Sequence, residues 1–417
     1  MKILMRGPGV AAGITALLAA LLLAGCSSPG ASSAAGAGGS VTSGASGSPS
    51  GAPTTPAAGT APTSAVPASA PATGPVTTSA GGPVPAKFAA TSVTFVSADE
   101  AFVLGTAPCS VKPCTSIVRT LNRGATWVGL PAPVVPLGSP YSSTAQSAVW
   151  GIRFADPSVG FVFGQGIWET TDGGERWAAI DGPGKSIVDL EVIDSQVLAL
   201  TDACTADGCS QSEFLYRRAL DGGPWHFVTT VGSTRAIATQ ARVAAVLDGN
   251  NVVVSADGGL TFATRAASCG GADWSGSSVA VTGPDSLALY CAGGAAAGSV
   301  QKELYVSNDL GEHWSKAGTP PFGGDPWGIS AGTPAQIVVG AASGASWLYY
   351  SGDGGARWST AYQAPNAGAG FNDIGFTTTT DGVAVSGPAY TDGNTEGMPG
   401  QLLLTSNGGA SWQAVTW

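Results

Sequence analysis

The chain has 417 residues, of which 11% are charged, against about 25% in ordinary domains, and its net charge is −10. This acidic balance argues against a nucleic-acid partner, because binding a phosphate backbone requires clustered Lys and Arg. The chain has only two histidines, His226 and His313, which leaves little for a histidine-based metal site or a nucleophile–histidine pair. We expect no metal and no cofactor.

The first element in chain order is an export signal. Lys2 and Arg6 supply positive charge, residues 10–23 are almost wholly apolar, and the tetrapeptide LAGC ending at Cys26 resembles the lipobox of bacterial lipoproteins. The resemblance implies cleavage before Cys26 and diacylation of its thiol, which holds a protein stably to a bilayer. The alternatives are an ordinary secretory signal or a short membrane anchor, although the apolar run falls short of the ~20 residues that span a membrane. We predict a signal peptide at 1–25 and a lipid-anchored, extracytoplasmic protein at the cell membrane.

The next segment, 26–86, is predicted to be a disordered tether that begins with the lipidated Cys26. Residues 27–86 contain no charged and no aromatic side chain and consist of Ser, Gly, Ala, Pro and Thr with a few Val. Such a composition cannot bury enough apolar surface to offset the entropy of ordering. As a flexible coil, the tether would span roughly 45 Å.

From Lys87 onward one pattern returns: Ser or Thr, any residue, Asp, any residue, Gly, two residues of any kind, then Trp. The copies are TLNRGATW (120–127), TTDGGERW (170–177), ALDGGPW (219–225, one residue short), SADGGLTF (255–262), SNDLGEHW (307–314), SGDGGARW (351–358) and TSNGGASW (405–412). Their acidic or amide positions are Asn122, Asp172, Asp221, Asp257, Asp309, Asp353 and Asn407. Spacings of 36 to 54 residues are typical of propellers and solenoids.

This pattern resembles the Asp-box, or BNR, repeat of sialidase-like β-propellers, and the resemblance covers the chain after the tether. The segment IRFADPSVGFVFG is also similar to the photosystem-assembly-factor group of propellers, which implies a binding or assembly role. In the family, the box is a structural turn between the third and fourth strands of a blade, away from the usual ligand face. We therefore expect residues 87–417 to form an all-β, seven-bladed propeller with four antiparallel strands in each blade.

The chemistry of the box supports a structural role. A short Asp or Asn side chain accepts hydrogen bonds from the backbone ahead of it, and Gly supplies a positive φ. The Trp then buries its ring between sheets. Seven such turns on seven blades cannot converge on one substrate, so the boxes are predicted to be scaffold.

Six cysteines remain after Cys26, an even number that favours disulfides in an exported protein. Their positions suggest the pairs Cys109–Cys114, Cys204–Cys209 and Cys269–Cys291, all at the end of the blades opposite the Asp-boxes. Metal-binding thiols are the alternative, but the close pairs lie five residues apart rather than three, as in CxxC. The bridges would brace long loops on one face.

Aromatic and acidic residues gather at the same face, at or near the starts of inner strands. We predict a ligand site there from Trp150, Trp274, Trp327, Phe371, Asp273, Asp325 and Asp373. Rings would stack on a sugar or peptide while carboxylates orient it. The alternative is that these rings pack between blades, as aromatics at strand ends commonly do.

The sequence favours a binding protein over an enzyme. The sialidase pattern requires an Arg-Ile-Pro motif and three arginines, but the chain lacks that motif and only Arg153 and Arg235 lie on or near predicted inner strands. Asp273 and Asp325 could serve as the acid and base of a glycosidase, so a glycan hydrolase is the alternative. Our main hypothesis is a monomeric, lipid-anchored propeller that binds an envelope protein, peptide or glycan and no nucleic acid.

Overall fold

The described residues of the computed structural model form seven antiparallel sheets arranged as blades. They comprise residues 3–5, 81–110, 115–138, 148–205, 208–232, 236–267, 269, 274–296, 299–364, 370–387 and 400–417. No α-helix occurs in these ranges, and so none that is long and apolar enough to cross a membrane. The all-β, seven-bladed prediction is confirmed.

The four strands common to every blade come from contiguous sequence and run from the inside of the ring outward in chain order. Blade 1 has β2 (Ala89–Phe95), β3 (Ala101–Thr106), β4 (Thr115–Thr120) and β5 (Val128–Leu130). Blade 2 has β6 (Val149–Phe154), β7 (Gly160–Gly164), β8 (Ile167–Thr170) and β9 (Ala178–Ile180). Blade 3 has β10 (Ile187–Ile193), β11 (Gln196–Thr205), β12 (Gly208–Ala219) and β13 (His226–Gly232). Blade 4 has β14 (Ile237–Gln240), β15 (Val243–Asp248), β16 (Asn251–Ser255) and β17 (Ala263–Ala266).

The remaining three blades follow the same order. Blade 5 has β18 (Ser275–Gly283), β19 (Ser286–Ala296), β20 (Ser299–Ser307) and β21 (Ser315–Gly318). Blade 6 has β22 (Asp325–Ala331), β23 (Ile337–Ala342), β24 (Ser346–Ser351) and β25 (Ser359–Gln363). Blade 7 has β26 (Phe371–Phe376), β27 (Gly382–Ser386), β28 (Gln401–Thr405) and β29 (Gln413–Ala414).

Blade 7 differs from the four-stranded expectation because a fifth strand, β1 (Ile3–Met5), pairs antiparallel with its inner strand β26. An inner strand presents one hydrogen-bonding edge to the central channel, and an extended segment can satisfy that edge. β1 also contacts the inner strands β14 and β22. Cleavage before Cys26, which stays a prediction, would remove this strand.

The cores lie between blades rather than within them. Second strands such as β7, β23 and β27 are buried throughout, whereas the outer strands β9 and β25 are largely exposed. This explains why the second strands read as continuous apolar runs. Phe102 and Leu104 of blade 1, for example, pack against Ile152, Phe154 and Val162 of blade 2.

Packing between blades 7 and 1 closes the ring. Each inner strand contacts the next one around the ring, and β26 of blade 7 contacts β2 of blade 1. At that junction the backbone N–H of Val93 donates to Asp373 (3.0 Å), and Val93 and Val103 pack with Val383 and Val385. Trp417 packs edge-on against the rings of Phe88 and Trp127.

The blades have two distinct ends. The Asp-box turns join the third and fourth strands and define the box end. The opposite end carries the connections between second and third strands and the starts of the inner strands. We call it the hairpin end, because β11–β12 and β19–β20 form long hairpins there.

Candidate functional site

The Asp-box turns are closed by short side chains. In the box of blade 6, the Ser351 hydroxyl donates to Asp353 (2.9 Å) and accepts from the backbone N–H of Gly355 (2.8 Å), while Asp353 accepts from the N–H of Arg357 (2.9 Å). Asn122 and Asn407 accept the equivalent bond from Thr126 and Ser411. The box residues are therefore occupied in holding the turn.

Four of the boxes depart from the common pattern. Arg123 and Leu310 adopt φ of 60° and 55° where the other five boxes have Gly. In the short box, the backbone N–H of Gly222 donates to the carbonyl of Ala219 (3.1 Å), and Asp221 is exposed. Phe262 replaces the box Trp and has no N–H to donate.

The box tryptophans are mostly half-buried at the seams between blades, and only Trp412 among them is buried. Three donate across a seam to the preceding blade: Trp177 to the carbonyl of Pro131, Trp225 to Asp181 and Trp314 to Ala266. The other three donate to the Gly carbonyl of their own box. The box thus closes its own turn and in some blades ties two blades together.

Three of the predicted ligand residues lie in the interior. Trp150 is 2% exposed and its indole N–H donates to the carbonyl of Val188 in blade 3 (3.3 Å). Phe371 and Asp373 have no exposed surface. The structure uses these residues for packing between blades and for hydrogen bonding at the ring closure.

Asp373 belongs to a buried polar network centred on Arg153, with members on four blades. The guanidinium donates to Glu191 (2.6 Å) and lies 3.5 Å from Asp373 and 3.7 Å from Asp189. Burial opposes the charge of Arg153, but the three carboxylates raise its pKa above the ordinary value. Burial also raises the pKa of Glu191, and the neighbouring Asp189 and Asp373 add to that shift. Arg153 is thus committed to internal carboxylates and is not available to clamp an external one.

The hairpin end of blade 5 is braced by a disulfide between Cys269 and Cys291, whose Cα atoms lie 5.9 Å apart. The half-buried ring of Trp274 packs closely against Gly293. A Cβ atom at position 293 would lie 2.6 Å from that ring, so only glycine fits there. Bridge and ring together fix the entry into β18 against β19.

A buried lysine holds the adjoining loop. Lys302 lies on β20 and is 1% exposed, and its Nζ has four carbonyl oxygens within 3.2 Å. One belongs to Val300, and the others to Phe322, Gly323 and Gly324 of the loop entering blade 6. Burial lowers the pKa of Lys302 to about 8, and the Asp325 carboxylate opposes that shift. The loop is therefore organised around a cation at neutral pH.

The loop presents Phe322, which is 53% exposed, with the Lys302 ammonium 5.8 Å from its ring centre. Asp325 follows at the start of β22 and is half-buried. Trp327 is also half-buried, but its indole N–H donates to the carbonyl of Phe371 (2.5 Å) and its ring abuts Gly370. Trp327 thus packs against blade 7, while Phe322 and Asp325 remain accessible.

The hairpins β11–β12 and β19–β20 extend beyond the ends of the inner strands β10 and β18 that pair with them. The first pair between β10 and β11 is Ile187 with Thr201, and the first between β18 and β19 is Ser275 with Ala292. Residues 204–205 and 295–296 therefore pair on one side only within the described part of the chain. Cys204 and Cys209 are direct partners across the first hairpin in backbone register.

Some predicted residues lie outside the described ranges, and their roles stay predictions: Cys26, Cys114, Asp273 and Arg235, together with the side chains of Cys204 and Cys209. Cys109 is disulfide-bonded, and Cys114 remains its predicted partner.

Sequence reasoning missed Lys302 and Phe322. The signal for Lys302 was its place in the strand SVQKELYVS, where it shares the inward register with the fully buried Leu304. A lysine at an inward position needs acceptors, and the Gly-rich loop 322–324 supplies them.

No protein-family model matches the chain, and no curated relative is found. Among solved structures, YCF48 bound to D1 peptide is similar at 17% identity, covering 78% of this chain and 93% of its own, with a TM-score of 0.48. The β-propeller domain of the Trilobed protease from Pyrococcus furiosus is similar at 9% identity, with coverages of 80% and 97% and a TM-score of 0.44. The GH74 xyloglucanase from Xanthomonas campestris is similar at 13% identity, with coverages of 78% and 72% and a TM-score of 0.24.

The residues described above define a class: a seven-bladed β-propeller whose hairpin end carries a disulfide in blade 5 and a lysine-anchored loop at the entry to blade 6.

Proposed function

We propose that this protein is a lipid-anchored extracytoplasmic receptor that captures a polypeptide segment at the hairpin end of blades 5 and 6. The observation that supports this most strongly is the Lys302 anchor. An exposed aromatic side chain on an immobilised loop loses little conformational entropy on binding, which is the property of an interface hot spot. Phe322 is that side chain, with Asp325 beside it as a polar contact.

A polypeptide fits this end of the blades better than a glycan does. The one-sided backbone pairing at residues 295–296 of blade 5 leaves, within the described part of the chain, a strand edge to which an extended chain can add. A carboxylate next to an exposed ring favours a segment that carries an apolar side chain and a basic one. If a glycan proves to be the best ligand in the binding test, the proposed ligand class changes from polypeptide to glycan.

The binding test compares two exposed phenylalanines. The full chain is immobilised and presented with a library of defined extended peptides and a set of bacterial envelope glycans. We expect Phe322→Ala to weaken capture of the best peptide at least about tenfold. Phe227→Ala is the matched control, because Phe227 is 57% exposed on blade 3, and it should leave capture unchanged.

Lys302→Met separates positioning from contact. It removes the cation that holds residues 322–324, so their amide protons should exchange faster with solvent and peptide capture should fall with Phe322 still present. If Phe322→Ala captures the peptide as well as the wild type does, the proposal is refuted. If a glycan binds better than every peptide, the ligand is a sugar and not a peptide.

The anchor has its own test. Cys26→Ser removes the thiol that the predicted acylation requires, so the variant should leave the membrane fraction and become soluble in the envelope. Retention of the variant in membranes, with no lipid found on the wild-type chain by mass spectrometry, would refute the anchor while leaving the binding face untouched.

A further inference from the structure

The short box of blade 3 is tied to its blade differently from the other six boxes. In each of those, the backbone N–H of the residue after the Asp or Asn donates to a carbonyl in the turn between the first and second strands of the same blade. The six acceptors, at 2.8–3.0 Å, are Asp99, Ser158, Arg242, Asp285, Ala335 and Thr380. In blade 3 the N–H of Leu220 makes this bond instead, to Ser195 (2.8 Å). The tie therefore lies before Asp221 rather than after it.

The short box also lacks the side-chain bonds that hold the acid elsewhere. Ala219 stands where the other boxes have Ser or Thr, so no hydroxyl is present to donate to the carboxylate. Asp221 is exposed, and its carboxylate accepts no hydrogen bond from the residues that the structure describes. In blade 6, by contrast, Asp353 accepts from Ser351 and Arg357. The Asp221 side chain is therefore free to rotate.

The backbone that follows this acid is unpacked. Chain neighbours aside, a Cβ atom at Gly222 or Gly223 would meet nothing within 4 Å, whereas one at Gly173 in the box of blade 2 would lie 3.0 Å from the carbonyl oxygen of Pro157. The N–H of Gly222 donates to the carbonyl of Ala219 (3.1 Å), a bond that lies within the turn itself. Opening of this turn therefore disrupts no contact with another element.

We propose that Asp221 is a modification site, where the chain closes a succinimide with Gly222 and converts to isoaspartate. A following glycine favours this reaction because it has no side chain to obstruct the approach. The Gly222 nitrogen attacks Cγ of the neutral carboxyl, an N–C bond forms, and the amide hydrogen leaves with the carboxyl hydroxyl as water. Water then adds to one of the two ring carbonyls and breaks its C–N bond. Cleavage at Cγ restores aspartate, and cleavage at the main-chain carbonyl leaves isoaspartate.

Three regular boxes supply Asp–Gly pairs that should resist the same reaction. The acids Asp172, Asp257 and Asp353 also precede Gly, but each accepts a backbone hydrogen bond, and the N–H that follows each is tied to another turn. Hydrogen bonds from Arg357 and Ser351 lower the pKa of Asp353 to about 2. Its carboxyl is therefore ionised at neutral pH, and an ionised carboxylate has no hydroxyl to lose. Among these four boxes, the reaction is expected in blade 3.

The modification would loosen the outer strand of blade 3. Isoaspartate carries the main chain through its side chain, which lengthens the path before β13 by one carbon atom. β13 pairs with β12 from His226 onward, and Trp225 donates across the seam to the carbonyl of Asp181 (3.0 Å). We expect the amide protons of β13 to exchange faster with solvent in the aged chain. The site is independent of the ligand proposed for the hairpin end.

The test ages the full chain in detergent at neutral pH, in water enriched in oxygen-18. Each passage through the succinimide incorporates one oxygen-18 atom, including those that restore aspartate. Trypsin releases residues 219–235, in which Asp221 is the only acidic residue, and electron-transfer fragmentation distinguishes isoaspartate from aspartate. We expect label and isoaspartate at Asp221 to grow with time and to exceed those at Asp353 at least about tenfold. A sample taken before ageing is the blank.

Two variants test the cause. Ala219→Ser with one Ala inserted after Gly223 completes the box motif and should reduce both signals at position 221 to the level at Asp353. Asp221→Glu would require a six-membered ring, which closes far more slowly, and should give neither signal. Equal labelling of Asp221 and Asp353 in the wild type, or undiminished labelling in the completed box, would overturn the inference. The comparison of Asp221 with Asp353 is made within one folded chain, so it decides even if the completed box does not fold.

Discussion

Arg153 connects four of the seven blades through one guanidinium. It lies on blade 2, ion-pairs with Asp189 and Glu191 of blade 3 and Asp373 of blade 7, and has Ser92 of blade 1 at 3.3 Å. Arg153→Met would leave three buried carboxylates without their cation. We expect the free energy of unfolding, measured in urea, to fall by about 3–5 kcal/mol.

The control at the residue scale is Arg176→Met. The Arg176 side chain is 89% exposed and sits 3.8 Å from Asp172 within the same box. Exposed pairs contribute little, so this variant should stay within about 0.5 kcal/mol of the wild type. Equal effects of the two substitutions would show that the central network does not hold the blades together.

At the scale of the element, the box turns make the fold sensitive to acid. Hydrogen bonds led by the backbone N–H of His313 lower the pKa of Asp309 to about 2, and those led by Arg357 do the same for Asp353. For Asp257, burial opposes the shift, but bonds from Thr261, Ser255 and Leu260 lower its pKa to about 2. An aspartate in the unfolded chain has the ordinary pKa of 3.8, so the unfolded state binds more protons between about pH 4 and about pH 2. The stability these carboxylates give is full above that window and is lost as the pH falls through it.

The chain itself suggests the variant that tests this. Asn122 and Asn407 occupy the acidic position in two boxes and accept the same backbone bond without a titrating group. The triple substitution Asp257→Asn, Asp309→Asn and Asp353→Asn should therefore flatten the loss of unfolding free energy between about pH 4 and about pH 2. A triple variant that loses stability as steeply as the wild type would assign acid sensitivity elsewhere, with the Arg153 network as the first alternative.

The elements that the sequence predicts well are those governed by local rules. The box turns depend on residues within eight positions of each other, and the buried second strands depend on apolar runs such as GFVFG. Both patterns are local, so they can be recognised in the sequence alone. Trp150, Phe371 and Asp373 looked like ligand residues because a strand start is near the channel mouth, yet their environment depends on the neighbouring blade. Lys302 and its carbonyls were missed because the loop that it holds lies about 20 residues further on.

At the scale of the whole molecule, stability depends on the seams between blades, and these seams are unequal. Seams 1–2, 2–3 and 4–5 each have a box Trp that donates to the preceding blade. At seam 3–4 the box residue is Phe262, and a groove of about 370 Å³ opens beside it with Leu260 47% exposed and Phe227 57% exposed. The missing indole thus coincides with the exposed apolar surface.

Phe262→Trp should strengthen that seam, because the groove has room for the larger ring and the indole N–H can reach a carbonyl of blade 3 as its counterparts do. We expect a gain of about 1 kcal/mol in unfolding free energy and a higher Tm. Phe322→Trp, an equal enlargement on an exposed loop at the hairpin end, should leave Tm unchanged. A lower Tm in Phe262→Trp would show that the groove does not accept the larger ring. Its apolar lining would then have a use other than packing between blades 3 and 4.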